Sequence, residues 1–315
     1  MSSLREDLQE YLTLRRSLGY KMHDAGRLLP RFVAYLEQRR ADHITTQGAL
    51  QWAQQTNAQP AEWARRLCFV RGFARYRSAT DVLTEIPPVR LLPYRSTRAK
   101  PYLYTDEEVR RLLDAALQLP TKWPSTPLRP WLFHCLFGLL AVTGLRISEA
   151  LDMQLEDVDL EQAVLTVRAA KLGRTRLVPV HASTCEVLAN YLRRREDFLR
   201  QYRRSSTHLF VSNRGTRLDL GRVHRAFYDL SRQVGLRAVG ASKGPRLHDF
   251  RHRIAVLTLT RWYESGDDEP ERRLPVLSTY LGHVCVAGTY WYLSGEPSLM
   301  AHALTRLERR WRKTS

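Results

Sequence analysis

The chain has 315 residues, with 50 Lys and Arg against 32 Asp and Glu, for a formal net charge of +18. Hydrophobic residues make up 43% and aromatic residues 10%, enough for one large domain or about two ordinary ones, which excludes global disorder and fibrous rods. The longest apolar stretch, Trp131 to Leu145, contains His134 and stops at Arg146, so it is too short and interrupted to span a bilayer. The opening MSSLREDLQEY has no apolar signal-peptide core.

So large a positive charge points to a polyanionic partner, nucleic acid first and an anionic membrane surface second. Most of the basic residues are arginine, which suits forked contacts to phosphate. GC-rich coding would give the same bias. Cys68, Cys135, Cys185 and Cys285 form no CxxC pair. That spacing argues against structural zinc and fits a reduced, intracellular protein.

In chain order, residues 1–86 read as a helical domain. Leu4, Leu8, Tyr11, Leu12 and Leu18 recur near helical spacing. A second helix carries Leu28, Leu29, Phe32, Val33 and Leu36, a third lies near 47–54, and a fourth runs from Pro60 through Trp63, Leu67, Val70 and Phe73. Arg65, Arg66, Arg71, Arg75 and Arg77 are expected to make its outer face basic. Residues 87–101 hold Pro87, Pro88, Pro93 and Pro101 with Arg90, Arg95, Arg98 and Lys100. They read as an extended basic linker able to follow a phosphate backbone, or as an ordinary surface loop.

A larger domain over 102–315 opens on the capping box of Thr105 and Glu108. Residues 130–142 predict a buried helix, interrupted by Gly144. Val164–Val167 and Leu177–Val180 predict strands joined by the basic turn AAKLGRT, and Leu209–Val211 predicts a short third strand. Helices resume from Gly221, broken by a polar loop at 264–273. The fold class is mostly α with a small antiparallel sheet.

Four separated elements carry the chemistry. In TGLRISEAL, Arg146 sits among apolar residues and needs a partner or a ligand. Glu149 is near enough to make it a structural ion pair. In KLGRTRLVPV, Lys171 occupies the turn, where most lysines are merely solvated. In RLHDFRHR, His248 and Arg251 share one helix face, and Asp249 is placed to buttress them. In TYLGHVCVAGTYWYL, His283 precedes Tyr292 by nine residues. A tyrosine hydroxyl is a poor nucleophile near neutral pH unless cations stabilise the attacked phosphate. Together these groups suggest phosphoryl transfer at a DNA phosphodiester. Two arginines clamp the oxygens, histidines move protons, a lysine protonates the leaving oxygen, and a tyrosine holds the strand. No HExxH, Walker loop or carboxylate cluster is present, so the pattern requires neither nucleotide nor metal, and no cofactor is expected.

The order and spacing of these elements resemble the tyrosine recombinase, or phage integrase, family over nearly the whole chain. TGLRISEAL resembles the segment of the first catalytic arginine, Arg146. KLGRTRLVPV resembles the hairpin of the catalytic lysine, Lys171, eight residues before Pro179. HDFRH supplies His248 and Arg251, LGH supplies His283, and the family spacing selects Tyr292. The interval from Arg251 to His283 is longer than in compact members, with the extra residues falling in ESGDDEPERR. The resemblance implies a two-domain clamp on double-stranded DNA, with a helical core-binding domain and a catalytic domain. It implies strand exchange through a 3′-phosphotyrosyl intermediate and a Holliday junction, serving integration, excision or resolution. It further implies a tetrameric synaptic complex on two duplexes and a cytoplasmic, nucleoid-associated location. The C-terminal AHALTRLERRWRK would reach a neighbouring protomer or pack on its own domain. The residues alone also admit a type IB topoisomerase-like or hairpin telomere-resolving enzyme, or a non-catalytic DNA-binding protein.

Overall fold

The computed structural model describes residues 3–92, 100–121, 127–168, 175–241, 243–265, 270–283, 285–286, 288–290, 299–301 and 304–305. Contacts divide the chain into two compact units, 1–99 and 100–315.

Among its described residues the first unit holds four helices, α1 (Leu4–Ser17), α2 (His23–Gln38), α3 (Thr46–Gln54) and α4 (Pro60–Arg77). Helix α1 starts where Ser3 and Glu6 exchange side chain-to-backbone hydrogen bonds. Helix α4 starts with Pro60 in its first turn, where a missing N–H costs nothing. Their apolar stripes bury Leu8, Leu29, Phe32, Trp52, Val70 and Phe73 in one core. The basic outer face expected of α4 is largely absent, because only Arg75 of its five named arginines is exposed. Arg77 is buried on Asp7 and Asp81, and Arg65 pairs with Glu62 and Asp24. Arg66 stacks over Trp52. Arg71 donates to the carbonyls of Pro87 and Pro88, and Leu91 and Leu92 pack on this core. The start of the expected linker therefore belongs to the first unit.

The second unit is built around α6 (Arg129–Thr143), whose Leu132, Phe133, Leu136, Phe137, Leu139 and Leu140 are all buried. A helix apolar on every side must be wrapped by others. It is wrapped by α5 (Asp106–Leu117), α8 (Ala182–Gln201) and α10 (Leu247–Glu264). Helix α5 carries the expected Thr105–Glu108 capping box. Between α6 and α8 lie the short helix α7 (Ile147–Asp152) and an antiparallel sheet. The sheet has β1 (Val158–Asp159), β2 (Val164–Val167) and β3 (Arg176–Pro179) in that spatial order. Leu165 pairs with Val178, and both are fully buried. The turn holding Lys171 lies outside the described residues.

The strand expected at 209–211 is not formed; isolated bridges join Gln154 to His208 and Val211 to Arg217. The reason is where the carbonyls find their donors. The Tyr191 hydroxyl donates to Leu209, and the Arg195 guanidinium donates to Ser206, His208 and Leu209. Side chains from α8 thus satisfy acceptors that a ladder would otherwise use. Helix α9 (Leu220–Gln233) follows, capped by Asp219. Helix α11 (Leu274–Leu281) packs on the second half of α10 through Ala255, Leu259, Leu277 and Leu281. Among the described residues no helix is long and apolar enough to cross a membrane.

Candidate active site

Two helix ends build the site. Helix α6 ends at Gly144 in the left-handed conformation, φ 63°. A side chain there would meet Ile254 and the Arg251 backbone in ordinary contact at 3.4–3.5 Å, so it is the left-handed turn that favours glycine. The chain then runs through buried Leu145 to Arg146, which caps α7. Helix α11 ends at Gly282, φ 65°. There Gly282 N–H donates to Thr279 and His283 N–H to Ser278, a Schellman-type stop. This turn fixes the backbone of His283.

The last carbonyls of α11 carry the negative end of its dipole, and three arginines meet them. Arg176 Nε donates to Tyr280 at 2.8 Å, Arg251 donates to Leu281, and Arg146 donates to Gly282 at 2.8 Å. Arg251, only 1% exposed, also donates to Gly144 at 3.0 Å and so bridges both helix ends. Glu149 is a shared acceptor. It takes the Arg146 guanidinium at 2.7 Å and backbone N–H at 2.9 Å, and the Arg176 fork at 3.1 and 2.7 Å. Burial pushes the Glu149 carboxyl up, but the bonds from Arg176 and Arg146 outweigh it and hold the group below the usual carboxylate range.

His248 stands in the first turn of α10, its ring edge-to-face with His252 at 4.8 Å. The residue is exposed. Desolvation lowers its pKa first; Arg251 lowers it further, Asp249 opposes this, and Arg246 and Arg146 add to it. Asp249, 1% exposed, accepts the Arg246 backbone N–H at 2.8 Å and its guanidinium at 2.8 and 3.3 Å. It therefore caps α10 and orients the turn that carries His248. His283 Nδ1 lies 2.8 Å from the Thr289 hydroxyl. Burial first, then Arg251, Arg146, His248 and Arg176, lower His283 to about 4. At neutral pH both imidazoles are uncharged, able to donate from one nitrogen and accept at the other.

The structure thus gathers Arg146, His248, Arg251 and His283 from three separate stretches of chain. Lys171 and Tyr292 lie outside the described residues. Tyr290 is 54% exposed, and its buried neighbour is Thr289, at 0%. Adjacent helical residues point about 100° apart, and the smaller residue takes the inner position beside His283. Arg176 was not singled out in the sequence. Its signal was the strand alternation. Val178 faces inward and Leu177 is 64% exposed, so the period of two places Arg176 on the inner side with Val178. Arg146 and Arg176 share the Glu149 carboxylate and Arg246 pairs with Asp249, while Arg251 donates to the carbonyls of Gly144 and Leu281. Among the described residues no cluster of His, Cys, Asp and Glu is placed to hold a metal ion.

The phage integrase family matches residues 103–297. The chain is 55% identical over 312 residues to "Putative integrase/recombinase y4rB" of Sinorhizobium fredii (strain NBRC 101917 / NGR234), covering 99% of each. It is 30% identical to "Tyrosine recombinase XerD" of Mycobacterium tuberculosis (strain ATCC 25618 / H37Rv), covering 93% of this chain and 86% of that one. In fold it is similar to XerH bound to palindromic difH in a post-cleavage complex, with TM-score 0.63, 18% identity and 89% and 78% coverage. It is also similar to a lambda integrase dimer on a COC′ core site, with TM-score 0.61, 19% identity and 92% and 77% coverage. The chain belongs to the phage integrase family, the tyrosine recombinases, which are site-specific DNA recombinases.

Proposed function

We propose that the chain cuts and rejoins duplex DNA at a specific site, with Tyr292 as the nucleophile. Arg146 and Arg251 hold the non-bridging oxygens of the scissile phosphate. Tyr292 Oη attacks phosphorus, the bond to the 5′ oxygen breaks, and Lys171 gives that oxygen its proton. The tyrosine proton passes to a neutral histidine, His248 or His283, and the other imidazole donates a hydrogen bond to the phosphate. The 3′-phosphotyrosyl link keeps the bond energy. A 5′-hydroxyl of the second duplex then attacks it, releasing Tyr292 and joining the strands. The observation that carries this reading is the gathering of guanidinium groups on backbone carbonyls at two helix ends. Backbone carbonyls help fix these donors and the Glu149 carboxylate is divided between Arg146 and Arg176, so part of their charge is left for a pentavalent phosphate.

The same reading gives residues 1–86 the role of a core-binding domain, 87–101 that of a basic linker and 102–315 that of the catalytic domain. One solved relative is a lambda integrase tetramer on a Holliday junction, and four protomers on two duplexes are the proposed working assembly here. A cytoplasmic location on the nucleoid and action on a mobile element complete the reading, the latter supported by the integrase/recombinase relative at 55% identity. The test is a nicked suicide duplex carrying a site selected by the full chain from a random-sequence pool. A covalent protein–DNA adduct, formed in EDTA and removed by protease, is the expected result. Tight site binding without any adduct would sink the reading and leave a DNA-binding protein.

A further inference from the structure

We infer that Arg176 is a positioning residue of the recombination site, tying strand β3, the Glu149 carboxylate and the last turn of α11 into one body that sets where Arg146 and His283 stand. The inference deepens the recombinase reading above and rests on it.

Arg176 touches three things at once. Its Nε donates to Tyr280 at 2.8 Å, and its two terminal nitrogens donate to the two oxygens of Glu149 at 3.1 and 2.7 Å. Its side chain is 9% exposed. A lysine has no fork and cannot serve a carboxylate and a carbonyl in this geometry. Gly282 completes the fit. A Cβ there would lie 2.6 Å from one terminal nitrogen of Arg176 and 2.9 Å from its central carbon. The guanidinium thus fills the space beside the turn that delivers His283.

Glu149 makes the arrangement consequential for Arg146. The carboxylate that Arg176 grips also accepts Arg146 at 2.7 Å. While Arg176 shares that charge, the Arg146 side chain, 38% exposed, keeps part of its own for a phosphate. Without Arg176 the whole carboxylate falls to Arg146, and Tyr280 loses the donor that anchors the helix end. Arg176 is also the first residue of β3, five residues after Lys171.

The test compares full-length wild type, Arg176→Met and Arg176→Lys on the selected nicked duplex, at a temperature where circular dichroism shows each folded. Site affinity and single-turnover adduct formation are measured separately. Expected is affinity within about threefold of wild type and an adduct rate lower by about 100-fold in Arg176→Met, the scale of an ångström-sized misplacement. Arg176→Lys should recover under about a tenth of the lost rate, because charge without the fork does not rebuild the contacts. A wild-type rate in Arg176→Met, full recovery in Arg176→Lys, or a loss of rate explained by lost affinity would each overturn the inference. Should Arg176→Met not fold, Arg176→Lys decides alone by the same criteria. A wild type that forms no adduct overturns the recombinase reading itself, and this inference with it.

Discussion

Arg77 in the first unit and Arg251 in the second are both buried arginines, 6% and 1% exposed. Their acceptors differ. Arg77 pairs with Asp7 and, at 3.0 Å, with Asp81, and donates to the Asp42 carbonyl at 3.0 Å. Its charge is cancelled where it stands, and it fastens α4 to the start of α1. Arg251 donates to the carbonyls that end α6 and α11. A carbonyl supplies a full hydrogen bond and only a partial charge, so each of these two bonds holds the guanidinium without the countercharge a carboxylate brings. Burial alone therefore does not separate a structural arginine from one placed for an anion. The kind of acceptor does.

The contrast matters for chemistry only if the second region delivers a nucleophile, and there the largest effect is expected. Tyr292→Phe should abolish the covalent adduct while leaving folding and site binding intact, because no other group replaces the hydroxyl. Tyr290→Phe should still form it. Peptide mapping of the trapped complex checks both, and a nucleotide remnant on Tyr290 would overturn the assignment.

The arginines themselves give the sharpest comparison. Arg77→Ala leaves Asp7 buried beside a lost partner and should cost about 3–5 kcal/mol in urea unfolding. Its adduct rate per folded molecule should stay at the wild-type level. Arg251→Ala should cost less stability, about 1–3 kcal/mol from orphaned carbonyls, yet lower the adduct rate by about 10²–10³-fold. Equal rate losses in the two variants would erase the distinction drawn between them.

The histidines provide a smaller effect with a fixed sign. His283 is lowered to about 4 by burial and by Arg251, Arg146, His248 and Arg176, against about 6.5 in an unfolded chain. Between these values the unfolded chain binds the extra proton, so stability is full above about pH 6.5 and falls as pH drops toward 4. Thermal melts over that window should fall less steeply in His283→Gln than in wild type. Parallel curves would show that the ring does not titrate there.

The smallest effect concerns the surface. With a charge of +18, binding to the selected site should fall with salt at a log–log slope steeper than about −4. Arg75 is exposed on α4, and Arg75→Ala should reduce that slope by about 1. Arg65→Ala should leave it unchanged, since Arg65 is already committed to Glu62 and Asp24. Titrations at several salt concentrations distinguish the two variants.

Much of this was legible before any coordinates. The leucine and aromatic stripes of 1–77, the Thr105 cap and the apolar run of α6 are local patterns, and each gave its helix. His248 and Arg251 fall on one face of α10 by spacing alone. The order of TGLRISEAL, KLGRTRLVPV, HDFRH and LGH carried the family. The strand near Leu209 failed as an expectation because Arg195 and Tyr191, on another helix, took its carbonyls. The basic face of α4 failed because Asp7, Asp24 and Pro87, remote in sequence, took its arginines.

The sequence by itself thus determined the helices, their caps, the charge and the family, since all of these are written in short-range patterns or in ordered motifs. Tertiary structure alone decided how each charged group is used. Tyr280, Leu281 and Gly282 meet arginines 104, 30 and 136 residues away, and Glu149 divides its carboxylate between Arg146 and Arg176. Periodicity tells which face of an element a side chain occupies. Only packing tells which distant carbonyl or carboxylate stands opposite it, and that partner fixes whether the charge is cancelled or kept for DNA.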